Sequence, residues 1–335
     1  MGYKLSILEF DQILESLKKD HVIYAPKRSV GKGHFSDTDL IKYEEINSVR
    51  EIEFKEKSRF SFKEVLIPIS QTLFYFTETA TTEPETRKKG AVIFLRSCDL
   101  HSMKRLDEMY LNNGPEDYYY KQLRENVKFV LMGCEKSFEN CFCVSMGTNS
   151  CDNYDFSVEL DQEQEQVYVN SHCDDISKLL KGCEEIEVLP KYVTENDVKV
   201  ELPEDVDLSL FESEIWDEYN ARCISCGRCN FVCPTCTCYT MQDIFYEDNG
   251  RVGERRRVWA SCHVDGFTGM AGGHAFRIKK SQRMRFKVLH KVYDYKKRFG
   301  YHMCTGCGRC DDVCPEYISF SNSINKLTKA CKEVK

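Results

Sequence analysis

Two copies of one cysteine-rich motif are the clearest chemical signal in the sequence. The first runs from Cys223 to Pro234 and the second from Cys304 to Pro315, and both read C-x2-C-x2-C-x3-C-P. This spacing lets three thiolates wrap one face of an iron–sulfur cube while the fourth cysteine ligates the other cube of a pair. Zinc sites, the alternative, use pairs of C-x2-C and give no reason for two matching copies. The spacing therefore predicts two [4Fe-4S] clusters.

The crossed ligation assigns four thiols to each predicted cluster. Cluster 1 is predicted to be bound by Cys223, Cys226, Cys229 and Cys314. Cluster 2 is predicted to be bound by Cys304, Cys307, Cys310 and Cys233. Paired clusters are typical of electron conduits, and clusters with a purely structural role are the alternative.

Four cysteines in the N-terminal part form a third candidate site. Cys98 follows an apolar run at residues 91–95, Cys134 follows another at 127–132, and Cys141-Phe142-Cys143 comes soon afterwards. If the two runs are parallel strands joined by a helix, their C-terminal ends lie at one sheet edge, so we expect Cys98 near Cys134. The pattern predicts a third [4Fe-4S] cluster on Cys98, Cys134, Cys141 and Cys143, with Asp99 as a reserve ligand. Buried free thiols are the alternative.

The remaining cysteines have weaker patterns. Cys236 and Cys238 directly follow the first motif, and Cys262 lies in a Ser-Cys-His sequence. We expect these three to pack or hydrogen-bond near the clusters, with contact to a cluster edge as the alternative. The cysteines without companion spacing, expected to be structural, are Cys151, Cys173, Cys183 and Cys331.

The segment between the motifs is long and basic. Seventy residues separate Cys233 from Cys304. The basic island in this insertion comprises Arg251, Arg255, Arg256, Arg257, Arg277, Lys279, Lys280, Arg283, Arg285 and Lys287. It is typical of a solvated face, and a docking surface for an acidic partner is the other interpretation. Arg228 and Arg309, each next to the third thiol of a motif, are candidates to favour the reduced cluster by their charge.

Composition sets the class of protein. The chain has 335 residues, a formal charge of -7, 41% hydrophobic residues and 19 cysteines. So many cysteines, in a chain without a recognisable secretory leader or a bilayer-length apolar run, predict a cytoplasmic metal or redox protein rather than a disulfide scaffold. The mild acidity argues against nucleic acid as the main partner.

Hydrophobic periodicity predicts the elements that position these residues. Residues 7–17 have the spacing of an amphipathic helix, whereas 65–68 and 73–76 are typical of short strands, and 77–90 of an exposed loop. Residues 91–95, a helix from about Leu100 and residues 127–132 form a strand, helix, strand unit.

These elements predict an α+β protein with two domains. Residues 1–214 are predicted to form an α/β domain, in which the third predicted cluster would lie. Residues 215–335 are predicted to form a ferredoxin-like dicluster domain with an insertion at 239–300. The boundary is placed in the polar stretch around Pro190 and Pro203.

With these motifs in place, the chain resembles anaerobic sulfite reductase A subunits, within the larger family of sulfhydrogenase beta-type iron–sulfur subunits. The segments that carry the resemblance are 95–100, 141–147, 223–238, 259–277 and 304–315. The paired cluster motifs are generic, whereas the Cys-Phe-Cys segment and the Ala-Gly-Gly-His segment that ends at His274 narrow the match.

The resemblance implies an electron-transfer subunit that is not catalytic alone. A flavin subunit would accept hydride from NADH, this chain would carry single electrons, and a siroheme subunit would reduce sulfite to sulfide. No G-x-G-x-x-G for a dinucleotide follows a strand here. The alternatives are the beta subunit of a cytoplasmic hydrogenase or sulfur reductase, an iron–sulfur redox sensor, and an oxidoreductase with flavin in its N-terminal domain.

Overall fold

The computed structural model describes residues 2–35, 37–85 and 88–334. The chain divides into two compact units. The first comprises Met1–Pro68, Glu85–Phe138 and Thr148–Glu195, and the second comprises Ile69–Pro84, Glu139–Gly147 and Asn196–Lys335.

The strands and helices are numbered in chain order. The strands are β1 (Gly2–Ser6), β2 (His21–Ser29), β3 (Leu40–Glu45), β4 (Ser70–Phe76), β5 (Thr81–Thr82), β6 (Gly90–Leu95), β7 (Val127–Met132), β8 (Phe156–Asp161), β9 (Gln166–Ser171), β10 (Glu184–Ile186), β11 (Tyr239–Phe245) and β12 (Gly253–Trp259). The α-helices are α1 (Ile7–Leu17), α2 (Ser97–Leu111), α3 (Tyr118–Arg124), α4 (Asp174–Leu179), α5 (Glu218–Arg222), α6 (Arg228–Phe231), α7 (Lys280–Leu289), α8 (Tyr295–Phe299), α9 (Arg309–Asp312) and α10 (Phe320–Val334). Short 3-10 segments lie at Val49–Glu51, Phe62–Val65, Leu208–Glu212, Glu214–Trp216 and Ala271–Gly273, and a π-helical segment at His290–Asp294 joins α7 to α8.

The first unit is built on one mixed sheet. Within the described residues it has eight strands in the order β10-β1-β9-β8-β7-β6-β2-β3. The pairs β2/β6, β6/β7 and β7/β8 are parallel, and the outer pairs are antiparallel. Every residue of β6 is buried, as expected for a strand with both faces covered. Helix α1 packs its apolar stripe into the same core, and Ser6 caps its first turn through a capping box with Glu9.

The second unit combines a small sheet with the cluster motifs. Its four described strands have the order β11-β12-β4-β5 and are all antiparallel. Its core gathers side chains from α7, the π-helical segment and α10, including Val288, Val292 and Ile324. The two shortest helices, α6 and α9, begin inside the two cysteine motifs.

Most sequence predictions for individual elements are confirmed. Helix α1, strands β4, β6 and β7, helix α2 and the parallel β6/β7 pair lie where the periodicity placed them. The predicted strand at residues 65–68 is wrong, because a 3-10 turn covers Phe62–Val65 and Leu66 and Ile67 are buried without joining a sheet. The predicted loop at 77–90 contains the two-residue strand β5, and positions 86 and 87 lie outside the described residues.

Two further findings concern the predicted domain plan. The second unit comprises Asn196–Lys335 together with two segments from the N-terminal part of the sequence, and the domain boundary near residue 215 stays a prediction. The insertion at 239–300 contains the hairpin of β11 and β12 followed by α7, the π-helical segment and α8. Among the described residues, no helix has the length and apolar character needed to cross a bilayer.

Candidate metal centre

The four thiols predicted for cluster 1 line one cavity in the second unit. The cavity holds about 490 Å³ of space not occupied by protein atoms, part of it open to solvent. Its cysteines are Cys223, Cys226, Cys229, Cys310 and Cys314. Cys314, from the second motif, thus shares a wall with three thiols of the first motif, the arrangement that crossed ligation requires.

Left-handed backbone residues shape both motif loops. Ser225 and Gly227 have φ values of 59° and 74°, and their counterparts Gly306 and Gly308 have 65° and 70°. These turns aim backbone N–H groups at sulfur. Ser225 N donates to Cys223 Sγ at 3.4 Å. Gly306 N donates to Cys304 Sγ at 3.4 Å, an equivalent contact in the second loop. N–H donors of this kind favour a thiolate and tune a bound cluster.

The thiols predicted for cluster 2 are largely withdrawn from solvent, since Cys307 is buried and Cys233, Cys304 and Cys310 are half-buried. Burial is the main cause that raises the pKa of Cys304 to about 12; the charges of Cys307 and Cys233 add to this effect, and the backbone hydrogen bond from Gly306 opposes it. Burial likewise raises the pKa of Cys310, with contributions from Asp311, Cys307 and Cys233. Cys233 of the first motif therefore lies close enough to Cys304 and Cys310 to raise the pKa of both thiols. Such thiols are stable as thiolates only with positive charge beside them, which bound iron supplies.

The donor arrangement fits a multi-atom cluster better than one ion. Among the described residues, no three His, Cys, Asp or Glu side chains are arranged to hold a single metal ion. A cubane is held at its separate iron corners, whereas the four ligands of a zinc site meet at one atom. The thiols here are spread around a cavity wall, which is the arrangement that a cubane cluster requires.

Two buried lysines lie next to these thiols, four residues apart. Lys287 lines the cluster 1 cavity. Burial lowers the pKa of Lys287, but the thiolates of Cys229, Cys310 and Cys233 more than offset this, and the net shift is upward. Lys291 donates from Nζ to Thr235 Oγ1 at 2.7 Å and lies near Cys233. The second unit thus holds two cations where negative thiolates gather.

The comparisons with known proteins agree with this geometry. Residues 222–318 match the 4Fe-4S dicluster domain family. The chain is 31% identical over 339 aligned positions to sulfhydrogenase 2 subunit beta of Pyrococcus furiosus, and the alignment covers 97% of each protein. The chain belongs to the sulfhydrogenase beta-subunit family. No solved structure matches it significantly.

Membership of this family confirms the broader resemblance found in the sequence. The chain is an α+β iron–sulfur protein of the electron-transfer type, and its dicluster domain indicates [4Fe-4S] clusters. The relative is named as one subunit of a sulfhydrogenase.

Members of the third predicted thiol set come from both units. Cys98 is the second residue of α2 and Cys134 follows β7, both in the first unit. Cys141 and Cys143 lie in the second unit, where the Cys141 thiol donates to the Cys307 carbonyl at 3.4 Å and Cys143 contacts Asn196 at 3.7 Å. The third cluster stays a prediction.

Cys236, Cys238 and Cys262 form a thiol group beside the first motif, with Cys236 and Cys262 buried and Cys238 half-buried. The β11/β12 register pairs Tyr239 with Trp259, and its continuation pairs Cys238 with Ala260, whose N–H donates to the Cys238 carbonyl at 3.0 Å. Hydrogen bonds to Cys236 and Cys262 raise the pKa of Cys238. The bond from Cys238 lowers the pKa of Cys262 to about 7, and Asn230 Nδ2 donates to the same sulfur at 3.1 Å.

The basic island is not one uniform surface. Arg257, Arg283 and Lys287 are buried, whereas Arg255 pairs with Asp243 at 2.6 Å. The Arg283 guanidinium bonds to the His263 carbonyl at 3.1 Å and to Ser225 Oγ at 3.3 Å, and so ties the insertion to the first motif. The two motif arginines also differ, since the one at 228 is exposed and the one at 309 is buried.

The burial of Lys287 and Lys291 beside the cluster thiols was not predicted from the sequence. A usable signal was present, because the apolar side chains of Met284, Val288 and Val292 recur at the same helical spacing. Lysines on an apolar stripe at i, i+3, i+4, i+7 and i+8 are predicted to be buried, and buried lysines need an anionic partner.

Proposed function

We propose that this chain is the electron-transfer subunit of a reductase complex, passing single electrons between a flavin-binding subunit and a separate catalytic subunit. The observation that carries the proposal is the cavity lined jointly by Cys223, Cys226, Cys229 and Cys314. When bound, paired [4Fe-4S] clusters supply one-electron redox chemistry. In this proposal the chain supplies eight thiolate ligands, shields the clusters from solvent and places two lysine charges near them. It carries no catalytic residue of its own.

The ligand sets we propose follow the crossed pattern. Cluster 1 takes Cys223, Cys226, Cys229 and Cys314, and cluster 2 takes Cys304, Cys307, Cys310 and Cys233. The contribution of Cys233 to the electrostatics of both Cys304 and Cys310 supports the second set. We also propose a third [4Fe-4S] cluster on Cys98, Cys134, Cys141 and Cys143, supported by thiol number and spacing.

The terminal subunit is proposed to be a hydrogenase or sulfur reductase. The support is the 31% identity over nearly the whole chain to a protein named as a sulfhydrogenase subunit. A flavin subunit would feed such a complex from NADH, since the chain has no dinucleotide fingerprint of its own.

A siroheme sulfite reductase subunit is the second candidate for the terminal partner. The segments at 95–100 and 141–147, with their Ser-Cys-Asp and Cys-Phe-Cys sequences, favour it. Sulfite reduction to sulfide consumes six electrons, so a relay that delivers electrons one at a time suits this chemistry as well.

Purification of the native complex under anaerobic conditions separates these candidates. Siroheme absorbance in the complex would assign the sulfite reductase, and nickel bound to a partner subunit would assign the hydrogenase. In either complex, Cys226→Ala and Cys307→Ala should abolish turnover with the natural donor. Cys183→Ala, which removes a thiol without cluster spacing, is the matched control. Full turnover of both cluster variants would overturn the proposed relay.

A further inference from the structure

The two cluster motifs have the same sequence pattern but very different surroundings. Ile224, after the first cysteine of the first motif, is 53% exposed, whereas Thr305 at the equivalent place is 2% exposed. The second cysteines differ in the same sense, because Cys226 is exposed and Cys307 is only 8% exposed. The loop around predicted cluster 1 therefore reaches the surface, whereas the equivalent loop around predicted cluster 2 is covered.

The segments after the fourth cysteines repeat this contrast. Tyr317, three residues after Cys314 of cluster 1, is 88% exposed. Cys236, three residues after Cys233 of cluster 2, is 9% exposed. Because the proposed ligation is crossed, the exposed residues of the first motif and those that follow the second motif border the same predicted cluster, cluster 1.

A covering segment explains the burial of the second motif. Phe142 N donates to the Gly306 carbonyl at 2.8 Å, and Asn140 Nδ2 donates to Asp312 Oδ1 at 3.0 Å. A Cβ on Gly306 would lie 2.6 Å from the Phe142 carbonyl carbon, so this backbone approach requires glycine. The first motif is contacted at Gly227 by Ser261 and Val264 instead, and Ile224 and Cys226 stay exposed.

Exposed side chains at the cluster 1 cavity form a rim, defined here as Ile224, Cys226, Pro315 and the adjoining Tyr317, and the charged side chains of Arg228 and Glu316 are exposed beside it. Tyr317 has a φ of 50°, a conformation that costs a non-glycine residue free energy. Its backbone is fixed by a bond from its N–H to the Cys314 carbonyl at 3.1 Å and by one from Arg222 to its carbonyl at 3.2 Å. An exposed aromatic side chain on a backbone fixed in a costly conformation is typical of a recognition site.

We propose that this rim is the docking surface for the redox subunit that exchanges electrons with the chain. The proposal rests on the proposed function. The occupant is a redox protein that has, around its own carrier, an apolar patch for Ile224 and Tyr317 and charges complementary to Arg228 and Glu316. Covering the rim would bring the two carriers together and exclude solvent from the exposed Cys226. A solvent-exposed thiolate ligand without a partner would be open to oxidation. Electrons enter or leave at cluster 1, and cluster 2 is the inner station.

The test uses charge placed on the rim in the complete, anaerobically purified complex. The double variant Ile224→Glu/Tyr317→Glu puts two carboxylates on the rim without touching a ligand. Tyr317→Asn is a milder variant, because asparagine tolerates the left-handed conformation. Leu208→Glu, an equally exposed apolar position elsewhere in the second unit, is the control. Iron content and the EPR spectrum of each variant confirm loading.

Two readouts decide the outcome: retention of partner subunits on a sizing column and the rate of cluster reduction by the natural donor, compared with reduction by a small viologen dye. We expect at least about tenfold slower reduction by the donor or loss of a partner in the rim variants, with dye reduction and the control unchanged. Unchanged donor reduction and subunit retention would overturn the docking proposal and leave the relay intact. So would a rim variant that only converts a dimer of this chain to monomer. A wild-type chain whose clusters accept no electrons even from dye would instead refute the proposed function.

Discussion

Lys287 gives the sharpest quantitative prediction for the potentials of the two clusters. Its side chain is buried, lines the cluster 1 cavity and lies near Cys229 and Cys310, which belong to different predicted clusters. Reduction adds one negative charge to a cluster, so a fixed cation nearby favours the reduced state and raises the midpoint potential. Lys287→Met keeps most of the apolar stem and removes the charge, and both potentials should fall.

The size of the fall follows from Coulomb's law. A unit charge about 7 Å from the added electron interacts with it by about 2.4 kcal/mol at an effective dielectric constant of about 20. For a one-electron couple, in which about 59 mV is a tenfold change in equilibrium constant, this corresponds to about 100 mV. Lys287→Arg preserves the charge and should restore most of the potential.

EPR-monitored redox titration of the variants measures this shift directly. Lys280→Gln, on the same helix and partly exposed, is the control and should move the potentials by less than about 20 mV because solvent screens its charge. If Lys287→Met keeps full iron content and its potentials stay within 20 mV of wild type, or rise, the proposed electrostatic role of Lys287 is refuted.

Three further substitutions test the ligand sets and the covering segment. Cys314→Ala should abolish the EPR signal of cluster 1 and Cys233→Ala that of cluster 2; loss of the opposite cluster in each case would reverse the crossed assignment. Gly306→Ala should lower iron content and thermal stability by more than Gly300→Ala, because both have positive φ but only Gly306 meets a neighbouring backbone; equal melting temperatures would argue against this tight approach. Cys141→Ser should reduce iron from about twelve to about eight atoms per chain if the third cluster exists, and an unchanged iron content would remove Cys141 from that site.

Local patterns in the sequence were enough to predict α1, β6, α2 and β7 of the first unit. The amphipathic spacing of residues 7–17 and the fully apolar run of β6 are set by neighbours along the chain, and both are confirmed. The prediction of a strand at 65–68 was wrong because a short buried apolar run has the same composition in a strand and in a 3-10 turn.

The different exposure of the two motifs depends on contacts between residues far apart in the sequence, so local sequence patterns could not predict it. The exposure of Ile224 and the burial of Thr305 occur at equivalent positions of the same motif, so no local rule separates them. The difference arises from residues 139–147, which lie more than 150 positions away in the sequence and pack on the second motif at Gly306 and Gly308. Similarly, Lys287 belongs to the basic island of the sequence, but in the fold its side chain lies beside the thiols of Cys229 and Cys310.

The most direct test of the central claim is the metal and sulfide content of the anaerobically purified chain, combined with low-temperature EPR after reduction. With two [4Fe-4S] clusters we expect about eight iron and about eight acid-labile sulfide atoms per chain, and with the third cluster about twelve of each. After reduction, the EPR spectrum should be that of two interacting clusters. Zinc bound to these cysteines, with little iron and no EPR signal on reduction, would contradict the electron-transfer account.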